Sequence, residues 1–131
     1  MNKLIKELIY RQTKINSNEW VDNDTLELAS QFMFYIKDNY KSLYDNTWIC
    51  KLDEDHYVNG IDLDKYSVII DLSWPKTSIS NYGVYVLTDE NLIKESGKNK
   101  AEMNVTDEDI INEDIYEGIV ELFEGIDLSS L

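Results

Sequence analysis

The sequence predicts an α+β fold with two N-terminal helices, a small antiparallel sheet of three to five strands, and a C-terminal amphipathic acidic helix. Apolar residues recur at steps of three and four near both ends of the chain, which is typical of helices packed on a core. Between them, residues 47–88 contain short runs that alternate apolar and polar residues, the period of half-buried strands. The 131 residues with a hydrophobic share of 43% are expected to form a single domain, 1–131.

Two helices are predicted at the N-terminal end. The first covers residues 2–15, whose apolar side has helical spacing, and the polar stretch 16–23 ends it. The second begins after Asp24, because Asp24 followed by Glu27 is a variant of the capping box that opens many helices. Its apolar stripe continues to Leu43, and Asp45-Asn46 is expected to close it.

The pattern in the middle of the chain predicts strands. Residues 47–52 form the first, 53–56 a turn and 57–61 a returning strand. Residues 66–74 alternate between two faces, which places Asp71 with Ile69 and the serines 67 and 73 on a face expected to be wet. Trp74-Pro75 ends this strand because proline cannot donate to a sheet. A loop at 77–81 then leads to a further strand over 82–88.

The last third is less regular before its final helix. Residues 89–95 fit a short helix or a strand, 97–100 are polar, and 103–105 fit an edge strand. The final helix is predicted to begin at Thr106, with Asp109 as the third residue of a capping box. Its apolar seam and the residues beside it are Ile111, Ile115, Ile119, Leu122, Ile126, Tyr116, Val120 and Phe123.

The net charge is the most informative feature of the composition. Twenty-six acidic residues against twelve basic ones give a net charge of −14. Residues 101–131 contain ten of the acids and none of the bases, so the negative charge is concentrated in the last quarter of the chain. Such a surface repels nucleic acid and anionic membranes and attracts basic proteins. The sequence therefore predicts a basic protein partner, with no direct binding to nucleic acid or membrane.

The predicted partner surface lies mainly on the final helix. Glutamates at steps of four, four and three form one stripe, flanked by further carboxylates, and a mixed surface would normally intersperse lysines. A solvated face that only improves solubility is the alternative interpretation. An acidic turn in the sheet region is the second candidate. The predicted partner-binding residues are Asp109, Glu113, Asp114, Glu117, Glu121, Glu124, Asp53, Glu54 and Asp55.

The sequence evidence for a catalytic or metal site is weaker than the evidence for a binding surface. Cys50 is the single cysteine and His56 the single histidine, so neither a disulfide nor the usual four zinc ligands can be assembled within the chain. An EF-hand alignment that places Gly60 at the invariant glycine puts tyrosines at ligand positions. No nucleophile elbow, phosphate loop or dinucleotide fingerprint occurs. We expect no enzyme activity, no cofactor and no metal.

The functional prediction is a small acidic protein that neutralises a basic macromolecule. Immunity proteins and antitoxins against toxin nucleases fit this description, as do nucleic-acid mimics that inhibit DNA- or RNA-binding enzymes. An acidic chaperone or scaffold with an apolar groove is the alternative, and a hydrolase with a carboxylate-bound metal is the third class. Glu7 and Arg11 interrupt the apolar start of the chain, so no signal peptide is expected and the predicted location is cytoplasmic.

Overall fold

The structure is a computed structural model that describes residues 3–15, 19–53, 56–73, 83–88 and 111–131. It has an α+β fold, as predicted, with helices and a four-stranded antiparallel sheet. The described helices are α1 (Lys3–Ile15), α2 (Thr25–Asn39), α3 (Lys41–Tyr44) and α4 (Glu113–Leu122). The described strands are β1 (Thr47–Asp53), β2 (His56–Asp62), β3 (Ser67–Ile70) and β4 (Val84–Leu87). Short 3₁₀ helices cover Glu19–Asp22 and Leu128–Ser130.

Helix α2 begins as predicted and ends earlier than predicted. The Asp24 carboxylate accepts a hydrogen bond from the Leu26 N–H at 2.8 Å, which confirms Asp24 as the N-cap. The chain leaves the helix at Tyr40, whose backbone is not helical. The Tyr40 hydroxyl donates to the Ile126 carbonyl oxygen at 2.9 Å. This tertiary contact accompanies the break, and the short helix α3 replaces the predicted continuation to Asp45-Asn46.

The strands follow chain order in the sheet, β1-β2-β3-β4, and all neighbours are antiparallel. Paired residues include Cys50 with Val58, and Asn59 with Ile70. His56 opens strand β2, so its predicted place in the turn is wrong, and the residue is only 4% exposed. Strand β3 is shorter than the predicted 66–74. Its end follows from Asp71, whose carboxylate accepts the Ser73 N–H at 3.0 Å and so turns the chain.

The main core lies between the helices and one face of the sheet. Alternation along the strands sends one set of side chains toward the helices and the other set to the second face of the sheet. The helix-side core combines residues of α1, α2 and α4 with strand residues that include Ile61, Val68, Ile70 and Val84. The second face carries a smaller apolar cluster of Trp48, Cys50, Val58 and Ile69, each at most 4% exposed.

Gly60 is required by the packing on the second face. It lies opposite Trp48 in the β1–β2 pair, and the Trp48 ring occupies the space above it. A Cβ atom at this position would come within 2.1 Å of Trp48 Cζ2. The Trp48 indole N–H then donates to Asp62 Oδ1 at 2.7 Å, which fixes the ring across the strands.

Helix α4 differs from its prediction at both ends. Ile111 and Asn112 are described and precede the helix, so the start predicted at Thr106 is wrong for this helix; Thr106 itself lies outside the described residues. Asn112 is the N-cap, and its side-chain oxygen accepts the Ile115 N–H at 3.3 Å. The helix ends at Leu122 and the chain turns at Gly125, where φ is 75°.

One residue of the predicted seam, Ile111, and one predicted beside it, Val120, are exposed. Ile111 is 44% exposed and Val120 is 42% exposed. Ile111 lies before the first helical turn, and Val120 is rotated about 100° from the buried Ile119. The predicted elements at 77–81, 89–95, 97–100 and 103–105 lie outside the described residues, as do Trp74 and Tyr82.

Candidate functional site

Helix α4 is amphipathic, with apolar residues on the side that faces the core and carboxylates on the other side. Ile115 and Ile119 are fully buried and Leu122 is 3% exposed, so this side docks on the core. The opposite side is solvent-exposed and negatively charged. We refer to the exposed carboxylate residues as the acidic face, which consists of Glu113, Asp114, Glu117, Glu121 and Glu124.

The structure brings together five of the nine predicted site residues. Glu113, Asp114, Glu117 and Glu121 lie within α4, whereas Glu124 lies two residues beyond its end. Three members of the predicted glutamate stripe therefore lie on the helix, and the fourth, Glu124, is exposed just beyond its end. Asp109, Glu54 and Asp55 lie outside the described residues. Asp53 ends strand β1, and its side chain also lies outside them.

The N-terminal end of α4 accommodates negative charge. Glu113 and Asp114 occupy its first turn, where the helix dipole favours carboxylates. Glu27 of α2 is close by, because its Oε1 accepts a hydrogen bond from the Asn112 side-chain amide at 2.8 Å. Glu27 thus joins α2 to the start of α4 instead of completing the capping box predicted with Asp24.

A positively charged side chain from another helix lies at the C-terminal end of α4. The guanidinium of Arg11 in α1 donates to the carbonyl oxygens of Leu122 and Glu124. A base at this end complements the partial negative charge of the free carbonyls. Glu7 holds the same guanidinium at 3.0 Å. The sequence prediction found no such base because it considered only residues near Glu121 and Glu124 in the chain.

The carboxylates of the acidic face are available to an external partner. Within the described part of the chain, Arg11 forms an ion pair with Glu7 and His56 contacts Asp71, and neither contact involves any of the five. Four residues of helix separate neighbouring members by about 6 Å. This distance is shorter than the screening length of about 8 Å at physiological salt. The acidic face therefore generates a continuous negative field.

Neighbouring residues extend this negative surface onto α2. The Tyr116 hydroxyl donates to Asp38 Oδ2 at 2.9 Å, which places an exposed α2 carboxylate beside α4. Burial raises the pKa of Tyr116 above its ordinary value, and the hydrogen bond to Asp38 adds to the effect. Tyr116 therefore stays protonated and keeps donating to Asp38 at neutral pH.

Two further carboxylates, Asp62 and Asp64, lie at and just beyond the end of strand β2 and differ from each other. Asp62 Oδ1 accepts hydrogen bonds from Trp48 Nε1 and from the Ser67 hydroxyl, each at 2.7 Å. Asp62 is thus used to hold β1, β2 and β3 together, whereas Asp64 is exposed in the following turn. Among the described residues, no three His, Cys, Asp or Glu side chains are grouped so that they could hold a metal ion.

A buried polar cluster at one end of the second sheet face was missed by the sequence prediction. Asp71 is 2% exposed, so its predicted place on a wet face is wrong. Its Oδ2 atom lies 2.8 Å from His56 Nε2, and its Oδ1 accepts the Ser73 hydroxyl at 2.7 Å. The Gln12 side chain of α1 donates to the Asp71 carbonyl oxygen. The cluster therefore joins the start of β2, the end of β3 and helix α1.

Its geometry differs from a nucleophile relay. In a serine–histidine–aspartate relay, the carboxylate and the hydroxyl bind opposite nitrogens of the imidazole ring. Here Asp71 and Ser73 both face His56 Nε2, the Ser73 oxygen at 3.4 Å. Since Ser73 already donates to Asp71, the arrangement satisfies a buried carboxylate and fixes the strands.

The buried cluster also acts on a neighbouring tyrosine of β4. Burial raises the pKa of Tyr85 to about 12, and the nearby Asp71 contributes in the same direction, followed by Cys50. The β2–β3 register, which runs from Asp62 opposite Ser67 to Asn59 opposite Ile70, places the start of β2 beside the end of β3. That register depends on strand pairing and could not be read from alternation alone.

Comparisons with known proteins give no assignment. No protein-family model, curated protein or solved structure matches this chain. None of the helices in the described ranges has the length and apolar character required to cross a membrane. Exposure and charge make the acidic face the main part of the candidate functional site.

Proposed function

We propose that this chain binds and neutralises a basic protein through the acidic face of α4. The observation that carries the proposal is the exposure of five carboxylates on and beside one docked helix, unpaired with any lysine or arginine among the described residues. Placed on a packed element, these charges keep fixed positions, which favours complementarity to a particular partner. A floppy acidic tail would attract bases with much less geometric selectivity.

The size of the surface limits how the partner binds. Ten helical residues span about 15 Å, whereas a stable protein interface buries about 800 Å² on each partner. The acidic face alone is too small. We therefore place the neighbouring Asp38, Tyr116 and Val120 within the interface. Val120 supplies an exposed apolar contact among carboxylates, an arrangement consistent with an apolar interface centre and a charged rim.

The partner class follows from charge. A protein that presents clustered lysines and arginines does so most often to bind nucleic acid. Occupation of that basic surface by the acidic face would exclude the nucleic acid. We therefore propose an immunity or antitoxin role against a toxin nuclease, or mimicry of nucleic acid toward another DNA- or RNA-binding enzyme. A cytoplasmic location is part of this proposal.

The chaperone alternative has no specific observation in its favour. It requires an apolar groove that holds another polypeptide. The large apolar side chains exposed in the described ranges are Tyr10, Ile111 and Val120. Tyr10 belongs to α1, and Ile111 and Val120 are nine residues apart at α4. The acidic face, in contrast, places five exposed carboxylates on and beside one helix.

Affinity capture from cells of the source organism tests the proposal. The immobilised chain is compared with a Glu117→Gln/Glu121→Gln variant, and bound proteins are identified by mass spectrometry. We expect a basic partner that is retained at about 0.1 M salt and released at about 1 M, where the screening length falls from about 10 Å to about 3 Å.

The matched control is an Asp45→Asn/Asp64→Asn variant. It also removes two exposed carboxylates, at positions outside the acidic face. The control should capture the partner as well as the parent chain does, and the α4 variant should capture less. Equal capture by all three chains, or an acidic partner, would reject the proposed function.

A further inference from the structure

We draw no further inference here: the strongest candidate, the buried His56–Asp71–Ser73 cluster at the end of β2 and β3, carries none because its members are at most 4% exposed and bonded to one another, and nothing in the structure shows a ligand that reaches them.

Discussion

At the residue scale, Asp71 is a carboxylate buried immediately after strand β3. Alternation correctly separated Asp71, Ser67 and Ser73 from the apolar side of the strand. It could not show that the second face is also buried, because many antiparallel sheets leave one face to water. The structure instead buries Asp71 and satisfies its carboxylate through His56 and Ser73. Its cost of burial is thus offset by hydrogen bonds.

Replacement of Asp71 tests this interpretation. Asp71→Ala should lower the free energy of unfolding by about 3–5 kcal/mol, because it leaves the partners of a buried pair without their acceptor. Asp64→Ala removes an exposed carboxylate and should change stability by no more than about 0.5 kcal/mol. Urea unfolding of both variants supplies the comparison. If Asp71→Ala proves as stable as Asp64→Ala, the carboxylate is not buried as described.

Tyr85 provides a pH-dependent test of the same region. Its pKa is raised to about 12 in the fold, against about 10 in the unfolded chain. The folded state therefore favours the protonated phenol. The resulting contribution to the free energy of unfolding is fully present below pH 10 and is lost as the pH rises toward 12. Between these values, Tyr85→Phe should lose less stability than the parent chain. Parallel losses in urea unfolding at pH 9 and pH 11.5 would contradict this assignment.

At the element scale, the sequence correctly predicted that helix α4 exists and which of its sides is buried. The predicted boundaries of the helix were wrong. Ile115, Ile119 and Leu122 occupy the core as their spacing predicts. Capping-box patterns recur in polar sequence, and both Thr106 and Asn112 are suitable N-caps. Asn112 is used because it also contacts Glu27, and Gln31 accepts its backbone N–H at 3.0 Å. These contacts from α2 could not be read from the local sequence.

The docking of α4 is tested by two truncations on opposite sides of the helix. Ile115→Ala should cost about 2–5 kcal/mol of unfolding free energy, because the side chain is fully buried. Val120→Ala should be neutral or slightly stabilising, since Val120 is 42% exposed and alanine is the better helix former. Thermal and urea unfolding measure both changes. Similar values for the two variants would indicate that α4 does not pack on the core.

At the scale of the whole molecule, the predicted α+β architecture was confirmed, and the prediction of a basic partner stays a prediction. Periodicity identified α1, α2 and the strands, because each contributes regularly spaced apolar residues to the packing between the helices and the sheet. The break at Tyr40 and the cation that Arg11 contributes to α4 depend on contacts between segments distant in sequence. The same limit applies to function, since charge on α4 indicates a partner class without identifying its members.

The central claim is that the acidic face accelerates binding to a basic protein, and the salt dependence of the association rate constant tests it most directly. The captured partner is measured against the parent chain, the Glu117→Gln/Glu121→Gln variant and the Asp45→Asn/Asp64→Asn control. Equal unfolding free energies establish that the three chains are comparably folded. Removing two charge contacts, each about 0.2–1 kcal/mol, should weaken affinity by about 2- to 30-fold. It should also flatten the dependence of the association rate on salt, while the control keeps the parental slope. An α4 variant with the parental rate and the parental slope would contradict the account.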